Sequence, residues 1–308
     1  MSWLFLATLG QFINAIVAFL DKYIVSDEKV LPKPFVYAFY SCLLTGFWIV
    51  IYYIPGLDNF GIPTLDNVHK PSIQVIGMSF LAAYTFFMAL VSMYEALRKA
   101  EAVNVMPVVG AISAIATLGM SYLFFPNVVL NTNFIWGVVV LALGTLLVAQ
   151  SIPKRNTILL LVHSGVFFAL HYITMKGLFV ETNFDDGLFW SRIGLVLFAL
   201  SLLMVPVYYD RITEQTKHTS SKAGVLVLLT KILAGVAAFL LLKATDLGEL
   251  TVVQALDGLK FVFILLITIL FSALLPETIT RHEIRPREVF RKILYVAIIT
   301  VGYFILFL

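Results

Sequence analysis

Residues 222–246 read KAGVLVLLTKILAGVAAFLLLKATD, a stretch in which Lys231 is the only charged side chain between Lys222 and Lys243. A helix needs about 20 mostly apolar residues to cross the hydrocarbon core of a bilayer, and this stretch is long enough to do so. A barrel strand would instead alternate apolar and polar residues over about ten positions. The stretch therefore predicts a transmembrane α-helix.

The rest of the chain has the same character. Its 308 residues are 60% hydrophobic and only 13% charged, with a mean hydropathy of +0.96, so a soluble globule could not bury its apolar side chains. Ten apolar runs with short joints predict an all-α integral membrane protein with ten transmembrane helices. The predicted spans are residues 3–20, 35–54, 73–97, 102–125, 132–151, 157–179, 188–209, 222–246, 250–275 and 290–308.

Composition also limits the cofactors and partners. Cys42 is the only cysteine, so it forms no internal disulfide, and no Cys/His cluster has metal-ligand spacing. Basic residues lie at predicted helix ends, which favours a role in membrane orientation over nucleic-acid binding. The sequence contains no Gly-x-x-x-x-Gly-Lys nucleotide-binding loop. We expect the lipid bilayer and a small-molecule substrate as partners, with no metal, cofactor or nucleic acid, and a homodimer is left open.

The two halves of the sequence align when shifted by about 150 residues. FLDK (19–22) falls on ITMK (173–176), so a lysine closes spans one and six. YLFFPN (122–127) falls on SALLPE (272–277), so a proline follows spans four and nine. Because each half has an odd number of spans, the halves enter the membrane in opposite directions. The pattern predicts two inverted five-helix repeats, residues 1–152 and 153–308.

This plan resembles the drug/metabolite transporter superfamily, specifically its EamA-type branch, over nearly the whole chain. The similar stretches lie at the joint after span three, the matching joint after span eight, the entry to span seven and the turn after span nine. They are EALRKAEA (95–102) with Pro107, residues 242–249, FWSR (189–192) and PETIT (276–280). FYSC (39–42) departs from the family by lacking an arginine common in span two, and Asn127 replaces an acid. The resemblance implies a ten-helix transporter, and the departures leave its substrate open.

Lysine and arginine are distributed unevenly between the predicted joints. Joints that follow odd-numbered spans contain fifteen of them, and joints that follow even-numbered spans contain three. Because cytoplasmic joints are enriched in Lys and Arg, this count places both termini outside. The family resemblance implies cytoplasmic termini, so the sequence leaves the orientation open.

Charged side chains within the spans are candidates for a substrate site, since a charge at mid-bilayer costs at least about 2.5–3.5 kcal/mol. Gln254, Asp257 and Lys260 follow at three-residue spacing and predict a polar face on span nine. Asp257 and Lys260 either neutralise each other, or Asp257 holds a coupling proton or a substrate amine. Lys231 lies deep in span eight, where it either snorkels or faces a cavity, with Asp257 as its candidate partner.

Spans six and seven supply further candidates. Arg192 either pairs with Asp185 or Asp186 near the interface or holds a substrate carboxylate or phosphate with its guanidinium. His163 and His171 are either hydrogen-bonded packing residues, or proton acceptors or hydrogen-bond donors to the substrate near neutral pH. Their counterparts at the 154-residue offset are apolar, so a site that includes them would be asymmetric.

Uncharged polar residues complete the candidate set. Gln11 and Asn14, three apart in span one, either bond neighbouring helices or face a cavity. Tyr84 in span three either presents its hydroxyl to the same cavity or packs.

We expect a secondary transporter of the cell membrane that moves a small polar metabolite by alternating access. The cations Arg192, Lys231 and Lys260 outnumber Asp257, which favours a substrate similar to an amino acid or organic acid. A flippase component for a lipid-linked intermediate is the main alternative, with the cations binding phosphate. We expect no enzyme, because no Asp, Glu, His or Ser cluster marks one membrane edge, and a scaffold would not need ionisable residues deep in the bundle.

Overall fold

The computed structural model describes residues 2–26, 33–54, 62–124, 132–148 and 155–270, with short pieces between 290 and 305. Regular structure in the five long segments is entirely helical, which confirms the predicted all-α class. The α-helices in chain order are α1 (Ser2–Ser26), α2 (Pro34–Gly46), α3 (Ile73–Lys99), α4 (Ala102–Phe124), α5 (Thr132–Val148), α6 (Arg155–Glu181), α7 (Phe184–Leu202), α8 (Pro206–His218), α9 (Ser221–Leu247), α10 (Leu250–Ala255) and α11 (Asp257–Leu270).

Within the described residues, six helices are long and apolar enough to cross a membrane. They are α1, α3, α4, α6, α9 and α2 together with its 3₁₀ extension Phe47–Tyr53. The protein is therefore a multi-pass integral membrane protein. A seventh span is reached only if α7 and α8 are taken together, and α5, with 17 residues, is shorter than these helices. Most of predicted span ten lies outside the described residues.

Predicted span seven ends earlier than the sequence indicated. Helix α7 stops at Leu202, and the polar segment expected to be a joint forms α8, which is bent by 96° from α7. Pro206 fits the first turn of α8 because its missing N–H has no partner to lose there. Ile212 is buried while the charged side chains of α8 are exposed, and a 2.6 Å hydrogen bond joins the Tyr40 and Thr216 hydroxyls. An amphipathic helix of this kind suits the membrane interface.

Predicted span nine is divided at Leu256, between α10 and α11. Gly258 follows the break, and glycine is a poor helix former. The predicted polar stripe therefore does not lie on one continuous helix. Gln254 belongs to α10, whereas Asp257 and Lys260 belong to α11.

Helices α1 and α9 form an antiparallel pair. Gly10 lies against Leu241, and Asp21 contacts Lys231. The later residue of α1 thus contacts the earlier residue of α9, so the two helices run in opposite directions. The absence of a side chain on Gly10 lets the two helices approach closely, as small residues do in membrane bundles.

Helices α3 and α6 form a second antiparallel pair. Ser92 Oγ lies 2.7 Å from His163 Nδ1, and the Ala82 carbonyl oxygen lies 2.9 Å from His171 Nδ1. Between them, Ser164 donates a 3.0 Å hydrogen bond to the Ala89 carbonyl. Helix α1 therefore packs on α9, and helix α3 packs on α6.

Two lysines that the sequence alignment superposes each donate to carbonyls at the end of another helix. Lys22 Nζ donates a 2.6 Å hydrogen bond to the Leu97 carbonyl at the end of α3. Lys176 Nζ donates to the carbonyls of Thr245 and Asp246 at the end of α9, at 2.8 and 3.1 Å. Each lysine satisfies carbonyls that lack partners within their own helix and meets the negative end of the helix dipole.

Gly194→Ala is expected to destabilise the fold through a backbone clash. A Cβ at Gly194 of α7 would lie 2.6 Å from the Ser79 carbonyl oxygen of α3, and no side-chain rotation relieves that contact. Overpacking of this kind costs about 1–3 kcal/mol. The reaction of buried Cys42 with a thiol-reactive dye during heating in detergent reports the midpoint of thermal unfolding.

Gly77→Ala is the matched control, since a Cβ there meets nothing within 4 Å. It removes a helix-weakening glycine, so its unfolding midpoint is expected to stay the same or rise. Equal midpoints for the two alanine variants would contradict the close approach of α7 to α3.

Candidate functional site

A cavity of about 110 Å³ lies in the centre of the bundle. Helices from both halves of the chain contribute to its wall. Apolar side chains form much of the lining, and Phe86 and Phe168 contribute aromatic surface. Its polar lining residues are Asn14, Asp21, Ser41, Thr45, Tyr94, Tyr172, Lys231 and Lys260.

A buried ion pair forms part of the cavity wall. Lys231 Nζ of α9 lies 2.9 Å from Asp21 Oδ1 of α1, and the two side chains are only 2% and 4% exposed. Charges this deep are tolerated only when they are paired and hydrogen-bonded, because desolvation otherwise exceeds the Coulombic gain. The remaining bonds of both groups therefore decide whether the pair is stable.

Three further side chains complete these bonds. The Tyr37 hydroxyl donates to Asp21 Oδ1 at 2.5 Å, and Lys231 Nζ donates to the Tyr94 hydroxyl at 2.9 Å. Ser41 Oγ donates to the Tyr37 carbonyl at 2.7 Å, so its 3.1 Å contact with Tyr94 is donated by the tyrosine. Asp21, Tyr37, Ser41, Tyr94 and Lys231 thus form one connected network across α1, α2, α3 and α9, which we call the ionic network.

The rings of the two tyrosines also stabilise the ammonium. Lys231 Nζ lies 4.1 Å from the Tyr37 ring centroid and 5.2 Å from that of Tyr94, within cation–π range. The bonds to Asp21 and Tyr94 use two of its three hydrogens. One N–H donor therefore remains for a ligand in the cavity.

Three of the sequence-predicted site residues line the cavity. Asn14 of α1, Lys231 of α9 and Lys260 of α11 all contribute to its wall. Gln11 is buried on α1, but it lies outside the lining. Tyr84 is 43% exposed, and its ring packs edge-on against other aromatic rings rather than facing the cavity.

The two histidines act as bridges between α3 and α6. His163 is bonded to Ser92, and its ring lies 4.4 Å from that of Phe167. His171 is bonded to the Ala82 carbonyl and lies 4.9 Å from the Phe86 ring. Neither lines the cavity. Their placement matches the packing interpretation, and Tyr172, beside His171, reaches the cavity instead.

Arg192 is buried in the bundle and is not paired with the acids proposed for it. It is 5% exposed near the middle of α7, and no described carboxylate forms an ion pair with it. Asp186 instead accepts a hydrogen bond from the backbone N–H of His69, and its carboxylate also lies 2.9 Å from His69 Nδ1. Asp185 accepts a hydrogen bond from the side-chain amide of Asn67. Both acids hold the loop before α3 onto the start of α7.

The side chains of Gln254 and Asp257 lie outside what the structure describes. Asp257 was the predicted partner of Lys231, whereas the structure gives Asp21 that place. In the part of the chain that is described, no group of three or more His, Cys, Asp or Glu residues could hold a metal ion.

Sequence reasoning missed Asp21, Tyr37 and Ser41 as parts of the site. Asp21 was assigned to the end of span one because Asp21 and Lys22 interrupt the apolar run. Helix α1 continues to Ser26 through the apolar residues Tyr23-Ile24-Val25, which was the available signal that Asp21 lies inside the membrane. The adjacent charges also have separate partners, since Asp21 contacts Lys231 and Lys22 contacts Leu97.

Comparisons with known proteins support the fold and give no activity. No protein-family model and no curated protein matches this chain. Among solved structures, 28 chains match, and one of them, described only as a crystal structure of a protein, is 15% identical. The match covers 97% of this chain and 96% of that chain with a TM-score of 0.62. The chain therefore has the fold of a solved structure along almost its whole length.

Proposed function

We propose that this protein is a secondary transporter of the cell membrane that moves a small polar metabolite bearing a carboxylate, similar to an amino acid or organic acid, by alternating access. The observation that carries the proposal is the central cavity, which contains ionisable side chains in an otherwise apolar bundle. Ionisable groups at this depth are costly and typically mark a substrate or ion pathway.

Hydrogen-bond donors in the lining favour an anion. Lys231 and Lys260 both line the cavity, and Asp21 pairs with Lys231. The free donor of Lys231 and the amide of Asn14 suit the oxygen atoms of a carboxylate. A cavity of about 110 Å³ is of the size of a small metabolite and leaves little room for a lipid-linked intermediate, so we rank the flippase alternative lower.

The helix packing supports an inverted repeat. The pair α1 with α9 corresponds to the pair α6 with α3, and Lys22 corresponds to Lys176 at the ends of α3 and α9. Such a repeat allows one bundle to rock against the other around a central site, which is the usual route to alternating access. The buried ion pair Asp21–Lys231 joins α1 to α9, and no described ion pair joins α3 to α6. We therefore propose an asymmetric substrate site within a symmetric scaffold.

Proteoliposomes test the transport function. The purified protein is expected to exchange or accumulate at least one member of a panel of radiolabelled amino and organic acids, with or without a pH gradient. The Asp21→Asn/Lys231→Met double variant removes both charges of the buried pair, and we expect it to lose this transport.

Lys222→Met is the matched control, because it makes the same substitution on α9 at an exposed position outside the cavity. It is expected to transport like the parent protein. Failure of every compound to move under any gradient would contradict the proposed function.

A further inference from the structure

Arg192 is a buried cation without a countercharge in the described protein. Its residue is 5% exposed, and its Nε has no hydrogen-bond partner. The nearby acids Asp185 and Asp186 bond to Asn67 and His69 instead. Burial of a guanidinium is costly unless an anion or a full set of acceptors compensates it. An anion that reaches Arg192 would therefore gain a strong, two-pronged interaction.

Trp48 closes the space in front of Arg192. Both residues line a second, very small cavity of about 10 Å³, together with Gly235 of α9. A Cβ at Gly235 would lie 1.6 Å from Trp48 Nε1, so the indole sits where any other residue would place its side chain. A volume of this size holds about one water molecule and no substrate group. Movement of the indole away from Gly235 would therefore enlarge the space beside Arg192.

Neighbouring residues of the same two segments, α2 with its 3₁₀ extension and α9, line the small cavity and the central cavity. Thr45 lines the central cavity, and Trp48 follows it by about one turn. On α9, Ala234 lines the central cavity and the adjacent Gly235 lines the small one. Displacement of one indole would thus open Arg192 towards the space that Lys231 and Lys260 already line.

We propose that Arg192 is a second anion subsite, closed by Trp48, and that the substrate carries two anionic groups. One group binds beside Lys231 in the central cavity, and the other, a carboxylate or phosphoryl group, binds the Arg192 guanidinium after Trp48 leaves Gly235. This inference rests on the proposed transport function, because it names the substrate class and the gate of the same cavity.

Arginine-directed labelling tests the gate without requiring transport. Purified protein is treated with p-hydroxyphenylglyoxal, and labelling at Arg192 is measured by mass spectrometry relative to the exposed Arg211. Trp48→Ala removes the indole, and Gly235→Ser displaces it. If one variant fails to fold, the other still tests the gate. Each variant is expected to raise relative labelling of Arg192 at least about tenfold. Unchanged labelling in both variants would overturn the proposal.

Protection from labelling tests the substrate class. Succinate and butyrate have the same carbon number and differ by one carboxylate, and 3-phosphonopropionate replaces one carboxylate with a phosphonate. In Trp48→Ala, succinate or 3-phosphonopropionate should protect Arg192 at a concentration at least about tenfold lower than butyrate, because both ends bind. Stronger protection by succinate identifies a carboxylate as the preferred anion at Arg192, and stronger protection by 3-phosphonopropionate identifies a phosphoryl group.

A second comparison removes the charged side chains at the central-cavity end of the proposed site. Adding Asp21→Asn/Lys231→Met should remove the advantage of the dianion while Arg192 remains labelled. Equal protection by succinate, butyrate and 3-phosphonopropionate before this change would overturn the two-anion site. Dianion protection in a protein that fails to transport would contradict the proposed function and leave the Arg192 subsite standing.

Discussion

Asp21→Asn is expected to lower the free energy of unfolding by about 3–5 kcal/mol, since it leaves the Lys231 ammonium buried without a countercharge. The side chains of both partners are almost fully buried, so water does not replace the lost carboxylate. Asparagine keeps the shape of aspartate and an oxygen that accepts from Tyr37, so the change acts mainly through charge. Unfolding in mixed micelles titrated with SDS measures the difference.

Asp21→Asn/Lys231→Met is expected to recover most of this stability. Methionine fills the space of the lysine stem without a charge, and replacement of a whole buried pair by apolar groups is often neutral or stabilising. Because the double variant is expected to lose transport, it separates the functional role of the pair from its effect on folding.

Glu214→Gln provides the control for loss of a carboxylate. Glu214 pairs with Lys33 at 3.5 Å, and the two side chains are 68% and 45% exposed, so this change should cost at most about 1 kcal/mol. A loss from Asp21→Asn no larger than that from Glu214→Gln, or a double variant as unstable as the single one, would contradict the buried pair.

Lys176→Met is expected to produce the second large effect, a loss of about 1.5–3 kcal/mol. Lys176 donates to three carbonyls at the end of α9, at 2.8, 3.1 and 3.4 Å, and methionine donates to none of them. Lys22→Met removes the corresponding bond to Leu97 at the end of α3 and should cost a similar amount. Thermal unfolding in detergent, followed by size exclusion, compares the two variants.

Lys222→Met again serves as the control, because Lys222 is exposed at the start of α9. Its unfolding midpoint should match that of the parent protein. If only one of the two capping variants is destabilised, the equivalence of the two helix ends fails.

The sequence predicts the helical membrane class well because long apolar runs leave few alternatives. Lys231 is also predicted as a cavity residue, since a single charge inside such a run requires a partner or a purpose. Its actual partner, Asp21, comes from 210 positions away and lies next to an apparent helix end. No local pattern encodes the packing of α1 on α9 that joins them.

Other differences arise from the same limitation. The composition of α8 reads as a polar joint, and only its contact with α2 shows that Ile212 is buried and the helix is amphipathic. Arg192 looked like a residue near a helix end with acids close in sequence. Asp186 instead bonds to His69 in the loop before α3, and Arg192 is buried inside the bundle without it.

Accessibility of the central cavity from both sides of the membrane tests alternating access most directly. Ala238 lines the cavity, so Ala238→Cys in a Cys42→Ala background places one thiol there. A membrane-impermeant methanethiosulfonate reagent is applied to right-side-out and to inside-out vesicles. Alternating access predicts labelling from both faces, slowed by a transported substrate. Labelling from one face only, with and without substrate, would contradict it.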